Sequence, residues 1–187
     1  MKRILVWVCA VACVGNAGCM WGQAASGGAS AAPMKDPVTT ALRMLYDRSR
    51  TNTLGAIGAM PADKFNYKPT PDQSSFGHLV AHIVGFNNSF CAKVAGVAEP
   101  KVEEAKETDA KDKLVAAATA SYDFCNEALG KMDDSKMGES IEMFHGRQGP
   151  RALAVLILAS GWSDHYSTAA MYLRLNGIAP PSAQPKK

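Results

Sequence analysis

The 187-residue chain has no dominant charge. Of its 20 lysines and arginines, two lie in the N-terminal leader described below, which leaves 18 against 17 acidic residues. This balance argues against nucleic acid as a partner, because proteins that bind polyanions normally carry a basic surplus. The sequence also lacks a phosphate-binding glycine loop, a paired CxxC motif, a nucleophile elbow and internal repeats. The function classes that those motifs define are therefore not indicated.

Long apolar runs are scarce as well, and the most extended one lies near the N-terminus, at residues 4–14. It is too short to span a bilayer as a permanent helix. Lys2 and Arg3 precede it and small residues follow, which is typical of a secretory signal peptide. We predict a signal peptide over residues 1–25 and a flexible Ser/Gly/Ala-rich linker over residues 26–34. The mature domain is therefore expected outside the cytoplasm, in the periplasm or secreted.

Two endings of this leader fit the residues. Segment 16–19 ends in Cys19 after two small residues, as lipoprotein signals do, so one expectation is lipidation of Cys19. The other is cleavage by an ordinary signal peptidase near residues 23–25. Contact with a membrane is expected only through such a lipid anchor.

Cysteine is also rare in the predicted mature domain. Of five cysteines, three belong to the leader, which leaves Cys91 and Cys125. Two cysteines in an oxidising compartment usually pair, and both fall on predicted helices. We expect a disulfide between them, in preference to two free thiols or a catalytic cysteine.

Four segments have helical periodicity, and none reads as part of an extended sheet. Helix one begins with Asp36 as its cap and runs to Met60, and helix two is capped by Ser74 or Ser75. Helix three begins near Ala110. Between helices one and two, prolines break the chain, but aromatic residues in the break predict an ordered connection. The sequence therefore predicts an all-α four-helix bundle over residues 35–182, with a disordered tail over residues 183–187.

Helix four has the clearest pattern, with Gly149 and Pro150 at its start and Asn176 and Gly177 at its end. Its apolar residues recur at a spacing of three to four, which predicts a buried stripe. The stripe comprises Leu153, Leu156, Ile157, Ser160 or Gly161, His165, Thr168, Tyr172 and Leu175.

Three histidines are the candidate chemical groups. His78 and His82 lie one helical turn apart on helix two, and His165 lies on helix four after Asp164. If these helices face each other, His82 and His165 can bind a divalent transition metal such as Zn or Ni, with His78 or Asp164 as the third ligand. The alternative is that the imidazoles are half-buried and hydrogen-bonded to a hydroxyl or a carbonyl.

Three segments resemble the DinB-like (DinB/YfiT) superfamily of four-helix proteins. They are the PADKF sequence at residues 61–65, SFGHLVAHIVGFN at residues 75–87, and HYSTAAMYLRLNGIAPPS at residues 165–182. The last one is similar to an exported branch of the family. This resemblance covers the whole predicted domain and implies a DinB-like bundle with a long ordered loop between helices one and two.

The resemblance also implies a metal triad with one histidine on helix two and two on helix four, four residues apart. His82 and His165 match the first and last positions, whereas Gly161 stands at the middle one. Because glycine has no side chain, we expect water, a ligand or a neighbouring side chain to fill the space beside His165, with His78 and Asp164 as the nearest candidates. We also expect Gly161→His to raise the affinity for a divalent metal.

Two functions remain open. The first is an exported protein with a divalent-metal pocket between helices two and four, acting as a metal-dependent hydrolase or transferase, since the family includes such enzymes. The second is a non-catalytic bundle with a degenerate metal site that binds a small molecule or a protein. The resemblance further implies a homodimer formed through the helices.

Overall fold

Four helices form the domain: α1 (Pro37–Ala59), α2 (Phe76–Ala95), α3 (Lys111–Gly130) and α4 (Arg151–Leu175). An antiparallel hairpin of β1 (Ser140–Glu142) and β2 (Gln148–Pro150) joins α3 to α4. The computed structural model describes residues 32–144 and 146–185. The predicted signal peptide, Cys19 and most of the linker lie outside these residues. The predicted four-helix bundle is confirmed.

The directions of α2 and α3 explain the long connection between them. Asn87 contacts Ser121 and, one turn further along both helices, Cys91 is bonded to Cys125, so the two helices run parallel. The chain must therefore return along the bundle before α3 begins. The returning segment passes the start of α2 so closely that a Cβ at Gly77 would collide with its backbone. Only glycine fits at that position.

The connection between α1 and α2 is ordered, as predicted. The ring of Phe65 is buried and meets Phe76 edge-on, with centroids 5.3 Å apart. Tyr67 meets Tyr172 of α4 in the same way at 6.2 Å. Such edge-to-face pairs hold aromatic side chains in place, and here they fix the loop onto the ends of α2 and α4.

The start of α1 differs from the prediction. Asp36 stands at the N-cap position, but its side chain makes no capping hydrogen bond. Instead, Asp134, nearly one hundred residues later, accepts hydrogen bonds from the backbone N–H groups of Val38 and Thr39, both at 2.8 Å. A carboxylate from another segment thus satisfies the free N–H groups and complements the helix dipole. Local sequence could not reveal that partner.

The start of α4 also differs from the prediction, by one residue. Gly149 and Pro150 belong to strand β2, and the helix begins at Arg151. The Arg151 side chain is buried and donates hydrogen bonds to the carbonyl groups of Lys93 and Val94, both at 2.9 Å. A cation at the C-terminus of α2 complements its dipole, so this contact joins the hairpin end of α4 to α2.

The predicted buried face of α4 is wrong at three leucines. Leu153, Leu156 and Leu175 are 43%, 65% and 54% exposed. Because α4 carries apolar residues on nearly every side, a spacing of three to four can be traced along more than one face, and these three leucines lie on a face that is exposed to solvent. The residues that α4 buries are Arg151, Ala154, Val155, Leu158, Trp162, His165, Ala169, Ala170, Tyr172 and Leu173.

Cys91 and Cys125 form a disulfide with their Cα atoms 5.2 Å apart, and both residues are fully buried. A bonded pair between two core helices is consistent with an oxidising, extracytoplasmic compartment. In the described part of the chain, no helix combines the length and the apolar character needed to cross a membrane.

The C-terminal end is partly structured. Residues Pro181–Ala183 form a short 3-10 helix, in which Ser182 exchanges hydrogen bonds with the hydroxyl group of Tyr166. Ala183, the first residue of the predicted tail, lies in this helix, and Lys186 and Lys187 lie outside the described residues.

Candidate functional site

His82 of α2 and His165 of α4 lie side by side. Their ring centroids are 5.0 Å apart and the ring planes are perpendicular. The two helices run antiparallel here, since Asn87 further along α2 contacts Trp162 earlier on α4. Both imidazoles face a cleft of about 340 Å³. The other lining residues are Gln73, Ser74, His78, Leu79, Asp164, Thr168, Met171 and Tyr172.

His165 forms the buried side of this cleft. The residue is 5% exposed, and its Nδ1 atom has no hydrogen-bond partner among the described residues. Burial lowers the pKa of His165 to about 4, with a further contribution from His82 and an opposing one from Asp164. Its ring is therefore uncharged at neutral pH, and it is a hydrogen-bonding group rather than a cation.

The two predicted third ligands are placed differently. His78 lines the cleft but is half exposed, and its Nδ1 atom lies 3.5 Å from Oε2 of Glu107. Ser75 caps α2, as predicted, and its hydroxyl group donates to the same carboxylate oxygen at 3.1 Å. Asp164 lies exposed at the rim. Within residues 32–144 and 146–185, no three His, Cys, Asp or Glu side chains are grouped so as to hold a metal ion.

The space beside Gly161 is filled, and the side chain that fills it is Phe86 of α2. A Cβ atom at position 161 would lie 2.8 Å from Cε1 of this ring and still closer to Cζ, which is inside van der Waals contact. A neighbouring side chain thus fills the space, as expected, but it is neither of the two nearest candidates, His78 and Asp164. The ring stands edge-on to His165 at 4.8 Å and stacks on Phe90 at 4.6 Å.

This arrangement tests whether the residues fit the metal triad that the family resemblance implies. Two of the three triad positions hold a histidine, His82 and His165. The remaining position is Gly161, and Phe86 covers it. A histidine introduced at Gly161 alone would collide with the ring. The three-imidazole set therefore does not fit this chain, and a site with two protein ligands is weak.

A second polar cluster lies next to the cleft and was not predicted. The indole N–H of Trp162 donates to Oδ1 of Asn87 at 2.9 Å, and the Asn87 amide donates to the hydroxyl oxygen of Ser121 at 3.1 Å. All three residues are buried. The signal that could have found it is Asn87 itself, since a lone amide on the apolar side of α2, four residues after Ile83, requires a partner.

The fold and the site define a class: an all-α bundle whose α2 and α4 carry a histidine pair in an open cleft. A family model described as the DinB superfamily matches residues 45–163, and the chain belongs to this superfamily.

Solved structures confirm the fold. The chain is similar to a DinB-like protein from Bacillus cereus, with 15% identity, coverage of 76% of this chain and 95% of that one, and a TM-score of 0.63. It is also similar to a DinB-like protein from Bacillus subtilis, with 18% identity, coverage of 78% and 99%, and a TM-score of 0.63. A search of the curated proteins found no match.

A further similar structure is that of a mycothiol-dependent maleylpyruvate isomerase, with 12% identity, a TM-score of 0.56, and coverage of 69% of this chain and 59% of that one. At such identities the similarity shows the fold alone. The particular activity of this chain has to be inferred from its own residues.

Proposed function

We propose that this protein is an extracytoplasmic DinB-superfamily protein that binds a small organic molecule in the cleft between α2 and α4, without a metal ion. The observation that carries the proposal is the position of Phe86. Its ring lies where the side chain of a third metal ligand would leave α4 at Gly161. What remains is a histidine pair in a cleft of about 340 Å³, within the range typical of small-molecule sites.

The lining residues indicate the class of ligand. Leu79 and Met171 provide apolar walls, while Thr168 and the two imidazoles provide hydrogen-bonding groups. Among the described residues that line the cleft, none is a lysine or an arginine, so an anion would find no fixed positive charge. The one charged side chain among these described residues, Asp164, is exposed at the rim, where solvent screens its charge. The interior of the cleft therefore suits an uncharged molecule with an apolar body and at least one donor or acceptor.

The buried histidine favours binding over proton-transfer catalysis. A general base works best when its pKa lies near the operating pH, whereas that of His165 is lowered to about 4. Its Nδ1 atom is itself buried without a partner among the described residues, which carries a free energy cost that a trapped water or a penetrating ligand group would relieve. This site is better suited to hold a ligand than to accept its proton.

The alternative function is a metal-dependent one. In it, His82 and His165 would be protein ligands of Zn or Ni, and His78 or Asp164 would become the third ligand through a movement of its side chain. Metal analysis of untagged protein separates the two readings, and Phe86 favours the metal-free one.

The location outside the cytoplasm is supported by the signal-like leader together with the buried disulfide. We expect the mature chain to begin at Cys19 with a lipid, or between Ala24 and Ser26 without one. Intact mass of the exported protein distinguishes these ends, and a mature protein that still carries Met1 would contradict the proposal.

The ligand proposal is tested by NMR screening with a set of uncharged aromatic alcohols and amides. Binders are expected to shift the imidazole signals of His82 and His165 and to lose affinity in His165→Ala. Asn88→Ala is the control, because Asn88 is a half-buried polar residue of α2 that does not line this cleft, so it should leave binding unchanged. If all compounds that bind do so equally well to His165→Ala, the cleft is not the site.

A further inference from the structure

We propose that Phe86 and Gly161 form a matched pair that sets the specificity of the cleft, so that exchanging both residues converts it into a divalent-metal site. The inference rests on the cleft described above, but it concerns the metal-excluding role of one aromatic side chain. The Phe86 ring fills the volume that a side chain at position 161 would need, and glycine at position 161 leaves that volume free for the ring.

The first step is steric. A Cβ atom at position 161 would approach three ring atoms of Phe86, at 3.2 Å from Cε2 and closer to the other two. A Cβ atom at position 161 therefore requires the Phe86 ring to shift, and a longer side chain directed to the same place needs the volume that the ring now fills.

The second step is that the ring is held where it is. Phe86 stacks on Phe90 with an angle of 21° between the ring planes, and Phe90 in turn contacts Phe144 at 4.9 Å. Phe86 also contacts His165, with perpendicular ring planes and centroids 4.8 Å apart. A substitution at Gly161 alone would have to disrupt these contacts of Phe86, so it is not expected to create a metal site.

The third step concerns the imidazoles. Residues 161 and 165 are four apart on α4 and so project to the same side of the helix. His165 already lies 5.0 Å from His82, measured between ring centroids. A histidine at position 161, with the ring of Phe86 removed, would join them and give the three protein ligands that open zinc sites use.

The test compares Zn²⁺ affinity in untagged wild type, Gly161→His, Phe86→Ala, and the double variant Phe86→Ala/Gly161→His. We expect the double variant to bind Zn²⁺ at least about 100-fold more tightly than wild type, and each single variant to gain less than about 10-fold. Co²⁺ bound to the double variant should give the visible spectrum of a low-coordinate nitrogen site. Phe86→Ala/Ser160→His is the matched control, because Ser160 is the exposed neighbour of Gly161 on α4.

Two results would overturn the proposal: a Gly161→His single variant that binds as tightly as the double variant, or a folded double variant with no gain over the Ser160 control. If the double variant does not fold, Gly161→Ala answers the same question. It should lower the thermal midpoint in wild type and not in Phe86→Ala, and equal shifts in both backgrounds would refute the pairing. Failure to find an organic ligand would overturn the proposed function and leave this result unchanged.

Discussion

Two polar clusters lie side by side where α2 meets α4, and they differ in whether their polar groups have partners. In the closed cluster, Asn87, Ser121 and Trp162 are buried and joined by hydrogen bonds. In the open cluster, His82 and His165 face a cleft, and Nδ1 of His165 has no partner in the described chain. Since unpaired buried groups cost stability, the first cluster has a structural role, and the second is the site at which we propose that a ligand binds.

The largest effect on stability is expected beside the closed cluster, at the disulfide one helical turn beyond Asn87. Replacing Cys91 and Cys125 by alanine removes a link between residues 34 positions apart. The loop-entropy model predicts a loss of about 3 to 4 kcal/mol in the free energy of unfolding. Urea unfolding of oxidised wild type and the double variant measures it, and equal midpoints would show that the bond adds nothing to the closed cluster.

A smaller loss is expected for Asn87→Ala. It leaves the indole N–H of Trp162 without an acceptor in a buried site, which should lower the free energy of unfolding by about 2 to 3 kcal/mol. The adjacent half-buried Asn88 is the control, and Asn88→Ala should change the free energy of unfolding by less than about 0.5 kcal/mol. Similar losses in the two variants would remove the distinction between the clusters.

The open cluster should respond to pH. The pKa of His165 is about 4 in the folded protein and about 6.5 in an unfolded chain, so between these values the unfolded state binds more protons. Stability should therefore fall by about 2 kcal/mol as pH drops from about 6.5 to about 4. His165→Phe should lack this component when unfolding is followed across the same range. A variant with an unchanged pH profile would contradict the assignment.

The smallest effect distinguishes two helical glycines. Gly161→Ala should destabilise by about 1 kcal/mol, because its Cβ would press against Phe86. Gly58→Ala should instead stabilise by about 0.5 kcal/mol, since an added Cβ there meets no described atom within 4 Å and alanine is the better helix former. Thermal unfolding of both variants gives the two signs, and identical signs would argue against the filled space at Gly161.

Local patterns were sufficient to predict the four helices and a serine cap at Ser74 or Ser75, whereas the pairing of α2 with α4 through His82 and His165 came from the family resemblance. They failed where a partner is distant in sequence, as with Asp134 capping α1 across nearly one hundred residues. They also failed on part of α4, because more than one face of this helix fits a spacing of three to four, and the predicted stripe was not the one that buries Trp162. The contact of Phe86 with Gly161 depends on how two helices are rotated against each other, which periodicity does not specify.

The central claim is that this cleft binds its ligand without a metal ion, and metal content tests it most directly. The mature protein should be purified without a histidine tag and its Zn and Ni measured against protein concentration. The account predicts far less than one ion per chain in well-folded protein, unchanged in His165→Ala. Near-stoichiometric metal that is lost in His165→Ala would contradict it and show that His82 and His165 hold a metal despite Phe86.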